Sequence, residues 1–154
     1  MRGRTPLITA AIYGRLASAK LLVELGAKVN AQDYALGYSA LIWALAGRPY
    51  PMACMSIEMV RLLIASGADV NTRGSGGWTA LMSASVKGQF DVVKELVSAG
   101  AEVGAKMDDG RTAESFASRE GFEGIAKYLK LAKSLSDAGL LRGQYSKKRM
   151  RRTD

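Results

Sequence analysis

A six-residue run occurs four times along the chain. TPLITA opens at Thr5, SALIWA at Ser39, TALMSA at Thr79 and TAESFA at Thr112, at steps of about 33–40 residues. A second element recurs in register with it, as LLVELGAKVN, LLIASGADVN and ELVSAGAEVG, whose glycines Gly26, Gly67 and Gly100 lie 41 and 33 residues apart. In the clearest copy, residues 77–110, Ala80, Leu81, Ala84 and Ser85 share one helical face and Val92, Val93, Leu96 and Val97 another. Gly88 breaks the period between them, and Gly100 ends the second stripe in a position where the left-handed conformation stops a helix. Two short antiparallel helices per unit, repeated about every 33 residues, make a stacked array rather than a single closed core. The fold class expected is an all-α repeat, an α-solenoid of helix pairs. It covers residues 1–141, with units at about 3–36, 37–76, 77–109 and 110–141, followed by a basic and disordered tail at 142–154.

These runs resemble ankyrin repeats, whose pattern is roughly G-x-T-P-L-H-x-A-A-x-x-G-H-x-E-V-V-x-L-L-L-x-x-G-A-D-V-N. The resemblance spans about residues 3–130 and implies short hairpin fingers between the helix pairs. The chain departs from the pattern in several places. It has no histidine, and Ile8, Ile42, Met82 and Ser115 stand at the first-helix histidine position. The family proline survives as Pro6 and is replaced by Ala40, Ala80 and Ala113, residues that also favour helix. Gly104 replaces the asparagine seen at Asn30 and Asn71, and Glu114 stands where a leucine is usual, so the fourth unit reads as a terminal cap.

Composition narrows the chemistry. Without histidine the commonest general base is missing, and the acids on the second helices (Glu24, Glu58, Asp91, Glu95 and Glu123) fall at solvent positions, so no enzyme activity and no cofactor is expected. The adjacent Asp108 and Asp109 lead into Gly110 as a turn. One cysteine, Cys54, allows neither an internal disulfide nor a cysteine-based zinc cage. No apolar run reaches the roughly 20 residues of a membrane span, and a cytoplasmic setting, or a nuclear one in a eukaryote, is expected. The formal net charge is +8, and the stretch 142–154 carries six basic groups against one acid, so the repeat body is only mildly basic. That tail, KKRMRR within it, has the density of a nuclear-targeting or polyanion-binding segment, which offers binding to nucleic acid or an anionic surface as an alternative function.

Three stretches stand out. The first finger, 30–39, is one residue longer than the pattern requires and offers Tyr34, Leu36 and Tyr38 as an apolar tip. Residues 47–55 insert GRPYPMACM between the helices of the second unit, where Pro49 and Pro51 preclude a regular helix. The second finger, with Gly74 to Gly77 almost all glycine, reads as a flexible hairpin tip. The first helix presents an open question: Leu7, Ile8, Ala11 and Ile12 leave little polar surface for an end unit. The chain continues a longer array, a partner covers this end, or Arg2, Arg4, Thr9 and Arg15 suffice.

The positions the resemblance leaves free to vary form a groove of finger tips and first helices. A protein partner is expected there, on Tyr13, Tyr34, Tyr38, Trp43, Trp78, Val86, Lys87, Arg111 and Arg119, because aromatic residues and arginine dominate binding hot spots. A monomer is expected unless the apolar N-terminal face pairs, and the third alternative is that the chain is a regulatory piece of a larger protein.

Overall fold

The structure is a computed structural model that describes residues 3–47 and 57–140. Most of the 47–55 insertion, with Met52, Cys54 and Met55, and the tail at 142–154 lie outside the described residues. Eight α-helices run in four successive pairs among the described residues: α1 (Pro6–Ile12) with α2 (Leu16–Glu24), α3 (Ala40–Ala46) with α4 (Ile57–Ala65), α5 (Ala80–Val86) with α6 (Phe90–Ser98), and α7 (Ala113–Arg119) with α8 (Glu123–Asp137). The first helices form one layer, α1 on α3, α3 on α5 and α5 on α7, and the second helices form the other, α2 on α4, α4 on α6 and α6 on α8. The expected all-α repeat fold is present.

Each first helix begins on a hydroxyl cap. The side chains of Thr5, Ser39, Thr79 and Thr112 accept from the backbone N–H three residues on, at 3.2, 3.5, 3.3 and 3.2 Å. At Thr112 the bond is reciprocated, since Ser115 Oγ accepts from the Thr112 N–H at 2.9 Å. A cap of this kind satisfies an N–H that the helix itself leaves unpaired. The second helices stop at Gly26, Gly67 and Gly100, all at φ between 83° and 92°. There the N–H groups of Ala27, Ala68 and Ala101 reach back five residues to the carbonyls of Leu22, Leu63 and Leu96, each at 2.9 Å. That closure is why Gly-Ala follows every one of these helices.

The core lies between the layers. Leu7, Ile8, Leu41, Ile42, Leu81 and Met82 fill it from the first helices, and Val60, Leu63, Val93, Leu96, Ile125 and Leu129 from the second. The apolar residues of the first helix do not form an uncovered face: Leu7, Ile8 and Ala11 are buried and Ile12 is half-buried, with α2 and α3 packed against the helix. The two ends of the stack are marked by serine. Ser18 is exposed at the position where Met59, Val92 and Ile125 are buried, and Ser115 at the position where Ile8, Ile42 and Met82 are buried. Large apolar residues remain exposed near the first pair at Leu21 and Leu25.

Asparagines clip the first unit to the second and the second to the third. The Asn30 side chain donates to the Gly67 carbonyl at 3.0 Å and accepts from the Asp69 N–H at 2.8 Å. Asn71 repeats this on Gly100 and Glu102 at 3.0 and 2.7 Å. Gly104 ends the series for a physical reason. Helix α8 runs on to Asp137 instead of stopping after nine residues as α2, α4 and α6 do, so its carbonyls are engaged within the helix and no loop stands ready for a carboxamide. Lys133 occupies the space instead, 3.6 Å from where a side chain at 104 would begin.

Asn71→Ala removes both bonds across one joint and is expected to cost ~1–3 kcal/mol. Urea unfolding reads this as a lower midpoint with an unchanged slope, whereas an unmoved midpoint shows that the clip contributes nothing. Gly104→Asn is expected to gain no stability.

Candidate functional site

Each finger returns to its first helix through the same three residues: a left-handed glycine, a variable residue, then the capping hydroxyl. The glycines Gly37, Gly77 and Gly110 have φ of 64°, 80° and 84°, and Tyr38, Trp78 and Arg111 follow them. The carbonyl of each variable residue accepts from the opposite arm of its own finger, from Asp33 N–H at 3.1 Å, Gly74 N–H at 2.9 Å and Met107 N–H at 2.8 Å. These hairpin closures fix the three side chains at equivalent places over the first helices. Residues 3–5 repeat the motif at the head of α1, with Gly3 at φ 65° and Arg4 as the variable residue.

The side chains pack onto rings carried by the first helices. Tyr38 lies 5.4 Å from Trp43, and Trp78 lies 5.1 Å edge-on to Phe116. The Arg4 guanidinium sits 4.5 Å over Trp43, while Arg111 and Arg119 sit 4.9 and 5.5 Å over Phe116. Trp78 Nε1 donates to Ser83 Oγ at 2.6 Å, which draws the indole across α5. Both α3 and α5 are buried up to their last residues, Ala46 and Val86.

Two expectations are corrected here. Trp43, read as part of the exposed groove, is only 6 % exposed. Its indole is a core residue under Tyr38, and its N–H donates to Asp33 Oδ2 at 2.9 Å. Trp78, also read as part of the exposed groove, is half-buried, because Phe116 and Ser83 hold it down. Of the other expected residues, Tyr34 stands out at 91 % exposure, with Tyr13, Arg111 and Arg119 also exposed and Val86 and Lys87 half-buried. Lys87 Nζ donates to the Gly47 carbonyl at 3.2 Å, and burial pushes its pKa down. Tyr38, Trp78, Arg111 and Arg119 are brought onto the shared rings; Tyr13 and Tyr34 make no ring contact with them. The ring of Tyr34 lies on Gly3, where any side chain would collide with it.

The glycine-rich finger is a packed turn rather than a flexible tip. A 3-10 turn at Ser75–Gly77 brings Ser75 N–H to the Leu36 carbonyl at 2.7 Å and the Gly76 carbonyl to Asp108 N–H at 3.1 Å. One finger is thereby tied to both neighbours. A side chain at Gly74 would enter the Tyr38 ring at 2.3 Å, and one at Gly77 would meet the Lys106 carbonyl at 3.1 Å. Glycine is required here by close approach.

Asp33 is the residue of this site that the sequence did not reveal. It is buried, and its Oδ1 accepts from the N–H groups of Leu36 and Tyr38 at 3.0 and 3.2 Å. Burial pushes its pKa up, but those N–H groups, the Trp43 indole and the nearby Arg4 outweigh it and hold the carboxyl below its ordinary range. The one legible signal was an aspartate opening a turn, which predicts local acceptance of backbone N–H groups but not the indole ten residues on. Asp109 plays a more exposed part on the third finger. Its Oδ2 takes Arg111 Nε and Nη2 at 2.7 and 2.6 Å, and these bonds lower its own pKa and raise that of Arg111. Arg119 is paired with Glu120 at 3.0 Å.

With its folded pKa lowered, Asp33 contributes stability above its unfolded pKa of about 3.9, and that contribution is lost as pH falls through the folded value. Wild type is therefore expected to lose stability below about pH 4, while Asp33→Asn starts lower at neutral pH and shows a shallower acid limb. Urea midpoints across that range check this; parallel curves would remove Asp33 from the account.

Among the described residues no helix is long and apolar enough to cross a membrane, and no group of three His, Cys, Asp or Glu residues could hold a metal ion. Known proteins share the repeat. The chain is similar to a glycerophosphocholine phosphodiesterase, gde1, of Schizosaccharomyces pombe, at 38 % identity over 84 residues, 54 % of this chain and 7 % of that protein. An ankyrin repeat and SAM domain-containing protein 6 of Rattus norvegicus is 40 % identical over 78 residues, 51 % of this chain and 8 % of that one. A B-cell lymphoma 3 protein homolog of Mus musculus is 38 % identical over 91 residues, 59 % of this chain and 19 % of that one. The chain thus spans no more than a fifth of the length of these relatives. The family model described as ankyrin repeats in three copies matches residues 1–73, 36–107 and 52–137, and the chain belongs to the ankyrin-repeat family.

Proposed function

We propose that this chain is a non-catalytic scaffold that binds a protein partner along the groove of finger tips and first helices. The observation that carries the reading is the repeated placement of Tyr38, Trp78 and Arg111, each fixed by a left-handed glycine and seated on an aromatic ring. Ankyrin repeats generally mediate protein–protein interaction, and the family is typically non-enzymatic. Side chains already held in place lose little entropy when a partner arrives, and Tyr, Trp and Arg are the types that concentrate binding energy. Tyr13, Tyr34, Val86, Lys87 and Arg119 extend the surface. Trp43 serves it from beneath as the platform for Tyr38. Three carboxylates near the row are already engaged, Asp33 by backbone N–H groups and an indole, and Asp109 and Glu120 by arginine. The match to the phosphodiesterase covers 7 % of that enzyme and brings no catalytic role with it.

Photo-crosslinking amino acids at positions 34 and 119 test the groove without disturbing the core, with position 127 on the outer helix α8 as the comparison. The same partner is expected from source-cell lysate at 34 and 119, identified by mass spectrometry, and none at 127. Adducts confined to 127 would move the interface to the outer helices.

A further inference from the structure

The row of finger-base residues has four members. Arg4 follows Gly3 as Tyr38, Trp78 and Arg111 follow their glycines, at φ of 65°, 64°, 80° and 84°. Two rings divide the four between them. Trp43 carries Arg4 at 4.5 Å and Tyr38 at 5.4 Å, and Phe116 carries Trp78 at 5.1 Å and Arg111 at 4.9 Å. Along the stack the order is therefore arginine, tyrosine, tryptophan, arginine, with a cation at each end and ring surface between.

This order specifies what can lie on it. A guanidinium only donates hydrogen bonds, so each end calls for an acceptor, and a carboxylate meets its planar fork best. The middle is mostly ring surface: the Trp78 N–H is taken by Ser83, which leaves the Tyr38 hydroxyl as the polar tip of the two side chains. The chain's own acids leave donors to spare at both ends. The Asp33 oxygens are occupied by Leu36, Tyr38 and Trp43, and Arg4 Nε comes only within 3.9 Å of them. Asp109 takes Nε and Nη2 of Arg111 and leaves Nη1. The side chains of Arg4 and Arg111 stay 39 % and 44 % exposed. Length follows from the packing. Helices in contact lie ~8–10 Å apart, so the three steps from Arg4 to Arg111 span ~25–30 Å, which an extended chain at ~3.3 Å per residue covers in about nine residues.

We propose that the occupant of the groove is an extended segment of a partner protein, about nine residues long, apolar in its middle and bearing a carboxylate near each end. This rests on the groove reading above and adds the chemistry of what fills it.

The test uses fluorescein-labelled peptides of about nine residues titrated against the full chain by anisotropy. One has a leucine, valine and proline centre flanked by glutamates, its twin is flanked by lysines, and a third carries its glutamates in the centre. The glutamate-flanked peptide is expected to bind at least about tenfold more tightly than either, a difference of ~1.4 kcal/mol. Arg4→Gln and Arg111→Gln should each weaken it by about that factor, Asp109→Asn should tighten it by freeing Arg111, and Lys94→Gln on the outer helix α6 should change nothing. Circular dichroism confirms that each variant is folded. Equal affinity for glutamate- and lysine-flanked peptides, no binding by any of the three, or indifference to both arginine substitutions overturns the proposal. Crosslinks at 34 and 119 would still stand in those cases and preserve the groove reading. Tight glutamate-dependent binding that protects amides of the outer helices rather than the fingers would instead defeat the groove reading itself.

Discussion

No helix of the first layer exceeds seven residues, and three of the four in the second layer have nine. Isolated helices of this length are unstable in water, because nucleation costs more than two turns of hydrogen bonds return. Everything else in the structure answers that constraint. Hydroxyl caps and glycine stops define where each short helix begins and ends, but burial between neighbouring units is what holds it. Leu63, Leu96 and Leu129 are wholly enclosed, while Leu22 at the same position in the first pair is only half-buried. The covering neighbour makes the difference. Stability in such a stack is a sum of unit and interface contributions, and Ser18 and Ser115 stand exposed at positions where the other units bury apolar side chains.

The fingers carry the second set of joints. Asparagine side chains clip the bases of successive units, and backbone bonds from Leu36 to Ser75 and from Gly76 to Asp108 clip the tips. A finger held on both sides is a rigid mount, and that rigidity is what gives Tyr38, Trp78 and Arg111 fixed positions. At 74 the neighbouring ring leaves no room for a Cβ, and at 77 the left-handed backbone and the close Lys106 carbonyl together favour glycine. Density of glycine here signals tight packing, although in a chain without neighbours the same composition signals freedom.

Asp33 links the two roles. A buried carboxylate is costly unless its oxygens are satisfied, and here two backbone N–H groups and an indole N–H satisfy them. In return it fixes the longer first finger, orients the Trp43 ring under Tyr38, and places a negative charge beside Arg4. The same logic appears in a weaker, solvated form at Asp109 and Arg111, where exposure to water screens the attraction.

The amino-acid sequence by itself determined the repeat, the order of helices, their capping residues and the glycines that end them. These are local matters, set by the period of apolar side chains and by backbone conformations available to each residue type. The helix limits follow these local signals: α3 starts at the Ser39 cap, and α8 runs to Asp137 with Gly139 at φ 75° just beyond it. The face of the site was legible only in part. Tyr38 and Arg111 could be placed from the motif, and Arg4 could have been, since Gly-Arg-Thr repeats the finger ending. That Trp43 is core, that Trp78 folds down onto Phe116 and Ser83, and that Asp33 grips an indole were decided by tertiary structure alone. A tryptophan such as Trp78 has one exposure in the sequence pattern and another once Phe116 of the next unit lies against it, because burial belongs to the contact between units and not to either unit alone.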